Sequence, residues 1–107
     1  MPYYMVQAAY TRNGWEDQKA NPRDVMDRVR PLAEQLGGRL ESMFYTFGEY
    51  DILAIIELPG NVNAAAFSLT ASASAKAIKT TPLMTIEEGM EAMRTAGGIA
   101  GYAPPGG

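Results

Sequence analysis

Two apolar segments separated by almost nothing constrain this chain most. Residues 39–47, "RLESMFYTF", and 51–58, "DILAIIEL", flank Gly48-Glu49 and Tyr50. A two-residue connection with glycine first is the pattern of a type II′ hairpin, so the segments are predicted to be antiparallel neighbours with Phe47 facing Tyr50. That register puts Met43, Tyr45, Phe47, Tyr50, Ile52, Ala54 and Ile56 on one side of the sheet. Leu40, Ser42, Phe44, Thr46, Asp51, Leu53, Ile55 and Glu57 fall on the other. Both sides therefore carry large apolar residues, and any fold must account for two greasy faces.

The rest of the chain supplies the partners. Residues 3–10, "YYMVQAAY", are aromatic and apolar with no helical stripe and predict a strand, broken at Thr11 to Gly14. Val25, Val29, Leu32 and Leu36, with Met26 and Ala33 beside them, give one helical face over residues 22–36. Asn21 is the expected cap, Pro22 suits the first turn and Gly37-Gly38 the stop, while Pro31 inside the helix predicts a kink. Pro59-Gly60 ends the hairpin. Asn61 or Asn63 then starts a helix of small residues, "AAAFSLTASASA", able to approach a sheet closely. A fourth strand is expected over 76–84, and Pro82 assigns it to an edge. Thr85 and Glu88 have capping-box spacing for a last helix to about Arg94.

The order β-α-β-β-α-β plus a C-terminal helix predicts an α+β, ferredoxin-like fold with a four-stranded antiparallel sheet. Its inner strands are the first and third, the most apolar ones. No internal repeat is visible. With 107 residues there is room for one domain, expected over 1–95, followed by a Gly/Pro-rich tail over 96–107. Helices cover only one face of such a sheet, so Phe44, Leu53 and Ile55 would leave a patch of several hundred Å² in water. Covering about 400 Å² of it per subunit is worth roughly 10 kcal/mol before association costs, which predicts a homo-oligomer built on dimers.

Composition removes more chemistry than it suggests. The chain has no cysteine and no histidine. Disulfides, thiol catalysis, Cys/His zinc sites, Ser-His-Asp triads and histidine-ligated haem are excluded. No cofactor and no metal are expected. A net charge of −3 without a Lys/Arg cluster argues against nucleic acid or an anionic membrane as partner. No stretch approaches the ~20 apolar residues of a spanning helix and no leader pattern opens the chain, so a cytoplasmic location is expected.

The stretch "LGGRLESMFYTFGEYDILAIIELP" resembles the GYD domain family, small bacterial proteins named for a Gly-x-Tyr-Asp motif, here Gly48, Tyr50 and Asp51. The resemblance extends over about residues 3–95. It implies membership of the dimeric α+β barrels, in which two ferredoxin-like subunits pack sheet against sheet. A related pattern is similar to the effector-binding domain of the Lrp/AsnC regulators, but this sequence shows none of their helix-turn-helix. The resemblance implies no particular activity.

Two readings of the candidate residues stay open. Tyr50 and Asp51 either orient a polar ligand or complete a turn, with Gly48 at positive φ, Tyr50 paired to Phe47 and Asp51 accepting turn amides. Tyr4, Tyr10, Trp15, Phe44 and Tyr45 either form an aromatic pocket or fill core and interface. Arg23, Asp24, Asp27, Arg28 and Arg30 form a solvated helix face with i,i+4 spacing, as between Asp24 and Arg28. Glu87, Glu88 and Glu91 suit a helix N-terminus better than a metal. Ile99 and Tyr102 in the tail are candidates for an arm onto a neighbouring subunit. The function expected is a small-molecule or partner binding module with its pocket between sheet and helices. The alternative is a cofactor-independent monooxygenase acting on an electron-rich aromatic, served by Tyr45, Trp15, Tyr50, Asn13 and Arg39 with Asp51 as base.

Overall fold

The computed structural model describes residues 1–22 and 24–106. Strand β1 runs Tyr3–Tyr10 and alternates sides, burying Tyr4 and Val6. It is followed by a helix, α1, Arg12–Ala20, where only the end of the strand was expected. Its sequence, "RNGWEDQKA", holds one large apolar residue and no stripe, so periodicity could not reveal it. Local bonds close it instead: the Thr11 hydroxyl accepts the Gly14 amide and the Thr11 carbonyl accepts the Trp15 amide, each at 3.0 Å.

The second helix, α2, spans Met26–Gln35 and starts later than the expected Pro22. Asn21 is the C-cap of α1, and Asp24 serves α2 instead, its Oδ1 accepting the Met26 amide at 2.9 Å. Pro31 lies within α2. Gly37 and Gly38 stop the helix in a Schellman motif. The Gly38 amide donates to Ala33 and the Gly37 amide to Glu34, with Gly37 at φ +82°. A Cβ on Gly38 would lie 1.9 Å from the Glu57 carbonyl oxygen, so the chain passes there only without a side chain.

Strands β2, Arg39–Tyr45, and β3, Ile52–Glu57, pair antiparallel. The expected register holds from Ser42 opposite Ile55 to Tyr45 opposite Ile52. Beyond Ser42 the ladder shifts, with Leu40 opposite Ile56. The extra residue, Glu41, turns Leu40 into the core, which corrects its assignment to the open face. The turn also differs. Gly48 is not among the positive-φ glycines, so no type II′ turn forms, and Phe47 is 97% exposed rather than packed on Tyr50. Asp51 and Tyr50 are held elsewhere: the Thr46 amide and hydroxyl donate to the carbonyls of Asp51 and Tyr50, at 2.8 and 2.6 Å, while the Asp51 amide donates to Ala8.

Helix α3, Asn61–Ala71, continues into a 3₁₀ turn, Ser72–Ser74, and strand β4, Ala75–Leu83. Neither asparagine caps α3 through its side chain. Gly60 occupies the N-cap, Asn61 accepts the Tyr4 hydroxyl at 2.8 Å, and Asn63 donates to the Leu36 carbonyl at 3.1 Å, tying α3 to β1 and α2. The sheet order is β2-β3-β1-β4, all antiparallel, with β1 and β3 inside and proline-bearing β4 on an edge as expected. The core lies between this sheet and α2 and α3, around Tyr4, Val6, Ala33, Leu40, Ile56, Leu58 and Phe67.

Helix α4, Ile86–Gly97, carries the expected capping box between Thr85 and Glu88 and runs past Arg94. No residue of α4 is buried. It projects from the body, and the molecule measures 60 × 33 × 21 Å with a radius of gyration of 17.5 Å, against about 13 Å for a compact chain of this length.

Candidate functional site

Between the sheet and the paired helices α2 and α3 the core is incomplete. A cavity of about 420 Å³ opens there, floored by Val6, Ala8 and Ala54 of the sheet and walled by Val29 and Leu32 of α2 and Phe67 of α3. Small residues leave the room: Ala8, Ala54, Ala71, Ser74 and Ala75 all line it, where larger side chains would fill it. Its volume lies in the usual range for small-molecule sites. An enclosed void of that size would cost up to about 10 kcal/mol at ~24 cal/mol per Å³, an upper bound because this one opens to solvent, yet comparable with the whole stability of a domain.

Four polar residues line the cavity: Tyr10, Arg28, Thr70 and Ser74. Tyr10 is buried, and burial pushes its phenol above the ordinary value of 10.0, with the neighbouring Tyr45 adding to the shift. The neighbouring Arg28 guanidinium opposes that shift and Asp51 reinforces it. Arg28 was assigned to a solvated helix face. It is indeed exposed, but no Asp24–Arg28 ion pair forms, and its side chain reaches the cavity rim. Arg23, assigned to the same face, lies outside the described residues. The signal for Arg28 was available: it stands three residues after Val25 and four before Leu32, at the border of the apolar stripe.

Beside the cavity stands an aromatic cluster. Trp15 packs edge-on against Tyr10 with ring centroids 5.2 Å apart and lies 6.5 Å from Tyr45. Asp51 fastens it. Its Oδ2 accepts the Tyr10 backbone amide at 2.8 Å and the Trp15 indole N–H at 3.2 Å. The expected turn amides are not its partners; it reaches across to β1 where the β1–β4 register shifts between Ala9 and Tyr10. Thus Tyr10, Trp15, Tyr45 and Asp51 come together, and of these Tyr10 alone lines the cavity.

The other candidates are placed apart. Tyr50 is half-buried in the loop between β2 and β3, Asn13 is exposed on α1, and Arg39 stands at the far end of β2, bound to Glu41 and Glu57 at 2.8 and 3.3 Å. Beside that pair the Tyr3 hydroxyl bonds to Glu57, which raises the phenol and lowers the carboxyl. Glu88 is committed to its capping box and Glu91 to Arg94; among the described residues no three acidic side chains converge to hold a metal. No helix among them is long and apolar enough to cross a membrane.

The open face of the sheet carries the second feature. Phe44 is 63% exposed, and Met5, Leu53 and Ile55 beside it are only half covered. On α4, Ile86, Met90 and Met93 form an exposed stripe at i, i+4 and i+7.

Among solved structures the chain is similar to FFRP-DM1, with a TM-score of 0.54 at 14% identity over 78% of this chain and 100% of that one. It is also similar to MtbAldR, with a TM-score of 0.50 at 11% identity over 96% of this chain and 58% of that one. Both agree with the more distant similarity to Lrp/AsnC-type domains, and at these identities the likeness concerns the fold alone. No curated protein matches. The model of the GYD domain matches residues 4–93, a span that holds nearly the whole sheet, the cavity and the Asp51 clamp, and the chain belongs to the GYD domain family.

Proposed function

We propose that this chain is a homo-oligomeric binding module that holds a small, largely apolar molecule between its sheet and its helices. The cavity carries the reading. It is apolar, of ligand size, and kept open by alanines in an otherwise close-packed layer. Asp51, which an oxygen-dependent reaction would require as base, spends one oxygen on two N–H donors and does not line the cavity, so binding is better supported than oxidation.

The oligomer follows from the two unpartnered apolar surfaces. Phe44, Leu53 and Ile55 on the sheet and Ile86, Met90 and Met93 on α4 are most economically covered by a second copy, with α4 and the tail residues Ile99 and Tyr102 acting as an arm. Native mass spectrometry of freshly purified protein tests both parts. A dimer or a dimer-based assembly with a retained small molecule supports the reading; a bare monomer overturns it.

A further inference from the structure

We propose that the cavity takes an apolar carboxylic acid, its carboxylate held at the rim by the Arg28 guanidinium and the Tyr10 hydroxyl and its body against Val6, Val29, Leu32 and Phe67. This rests on the binding reading above and adds the ligand's chemical class.

Charge makes the first argument. Among the described residues Arg28 is the one charged side chain that lines the cavity, and it makes no ion pair with any of them. A cationic ligand would be repelled, and of the remaining classes an anion gains most from the guanidinium, which stands beside the Tyr10 hydroxyl. A carboxylate accepts two parallel N–H bonds from the planar fork. Carboxylates do stand near Arg28, but on its other side: Asp17, Asp24 and Asp27 line an outer cleft between α1 and α2. Asp24 and Asp27 disfavour an anion in that cleft and leave the cavity rim as the place where an anion meets the guanidinium.

Tyr10 makes the second. A tyrosine phenol is protonated at neutral pH, and burial moves Tyr10 further in that direction, so it presents a hydrogen-bond donor beside Arg28. The volume makes the third. At about 420 Å³ the cavity is nearly three times the ~150 Å³ apolar cavity that accepts benzene, which suits a bicyclic ring or a medium alkyl chain.

The test uses a matched pair of probes, 2-naphthoate and 2-naphthalenemethanol, titrated calorimetrically at pH 7 into the full chain and its Arg28→Gln and Arg28→Lys variants. Arg28 is exposed, so both variants should fold, which circular dichroism checks. The acid is expected to bind at least tenfold more tightly than the alcohol, as loss of a hydrogen bond to a charged group implies. Arg28→Gln should remove that preference and leave the alcohol unchanged, while Arg28→Lys keeps part of it. Equal binding of the two probes, or a preference that survives Arg28→Gln, overturns the proposal while leaving the binding reading intact. Absence of binding by both probes overturns the two together.

Discussion

Trp15 is tied to Asp51 by an indole N–H bond of 3.2 Å that spans 36 positions of sequence and joins α1 to the β2–β3 loop. The same carboxylate oxygen accepts the Tyr10 amide at 2.8 Å, so one aspartate fixes the end of β1, a helix and a loop. Asp51→Ala strands the Tyr10 amide and the indole together. It is expected to cost about 3 kcal/mol, and Trp15→Phe about 1 kcal/mol. A double-mutant cycle in urea should return a coupling near 1 kcal/mol; strictly additive losses would show that the indole bond contributes nothing.

The motif's glycine and tyrosine have no comparable task. Gly48 lies outside the positive-φ region, and a Cβ there meets nothing within 4 Å. Gly48→Ala is therefore expected to leave stability within about 0.5 kcal/mol of the parent. Gly38→Ala collides with the Glu57 carbonyl and should cost about 3 kcal/mol or more, since the obstacle is backbone. Urea midpoints of the two variants check this contrast, and equal midpoints would refute it.

The strands, their order and the last helix were legible because each has its own signal: two-sided apolar runs, Pro82 on an edge, and the Thr85–Glu88 spacing. What stayed hidden depends on contacts distant in sequence. Helix α1 carries Trp15 as its one large apolar residue, so it has no periodicity to read. The shift at Glu41 is a property of the β2–β3 ladder, not of either strand, and it moves Leu40 to the core. Of the site, Tyr10 was among the aromatic candidates, while Arg28 was read from its charge and not from its place beside Val25, Val29 and Leu32. The cavity is made by alanines, and small residues give no sign in a sequence of whether they permit close packing or leave a gap.

That gap invites filling. Ala54 is 4% exposed and lines the cavity from the middle of β3, so Ala54→Leu places three further carbons in it. If the space is a ligand site, the variant should bind neither naphthalene probe while unfolding within about 1.5 kcal/mol of the parent or above it, because the added carbons are buried without displacing packed atoms. Undiminished probe binding would place the ligand elsewhere.

The exposed stripe of α4 predicts an effect on assembly without one on the fold. No residue of the helix is buried, and its capping box is local. Met90→Asp adds a charge at the centre of the stripe. It should lower the association constant at least tenfold while the helical content of the dissociated chain stays unchanged. Sedimentation velocity over a dilution series measures the first and circular dichroism the second; an unaltered assembly would remove α4 from the interface.

Tyr10 supplies a pH signature. Its folded value is raised above the ordinary 10.0, first by burial and then by the neighbouring Tyr45. The unfolded chain therefore releases this proton at a lower pH than the folded one. The contribution is fully present below about pH 10 and is lost as the pH climbs from there through the folded value. Glu57 acts in the opposite window, since its carboxyl is lowered chiefly by the Tyr3 hydroxyl; its contribution is present above the ordinary carboxylate range and fades as the pH falls through the lowered value. Urea midpoints taken from pH 8 to 11 should decline more steeply for the parent than for Tyr10→Phe, which has no proton to lose at that position. Parallel declines would mean that Tyr10 ionises as freely in the folded chain as in the unfolded one, and that burial does not shift its phenol.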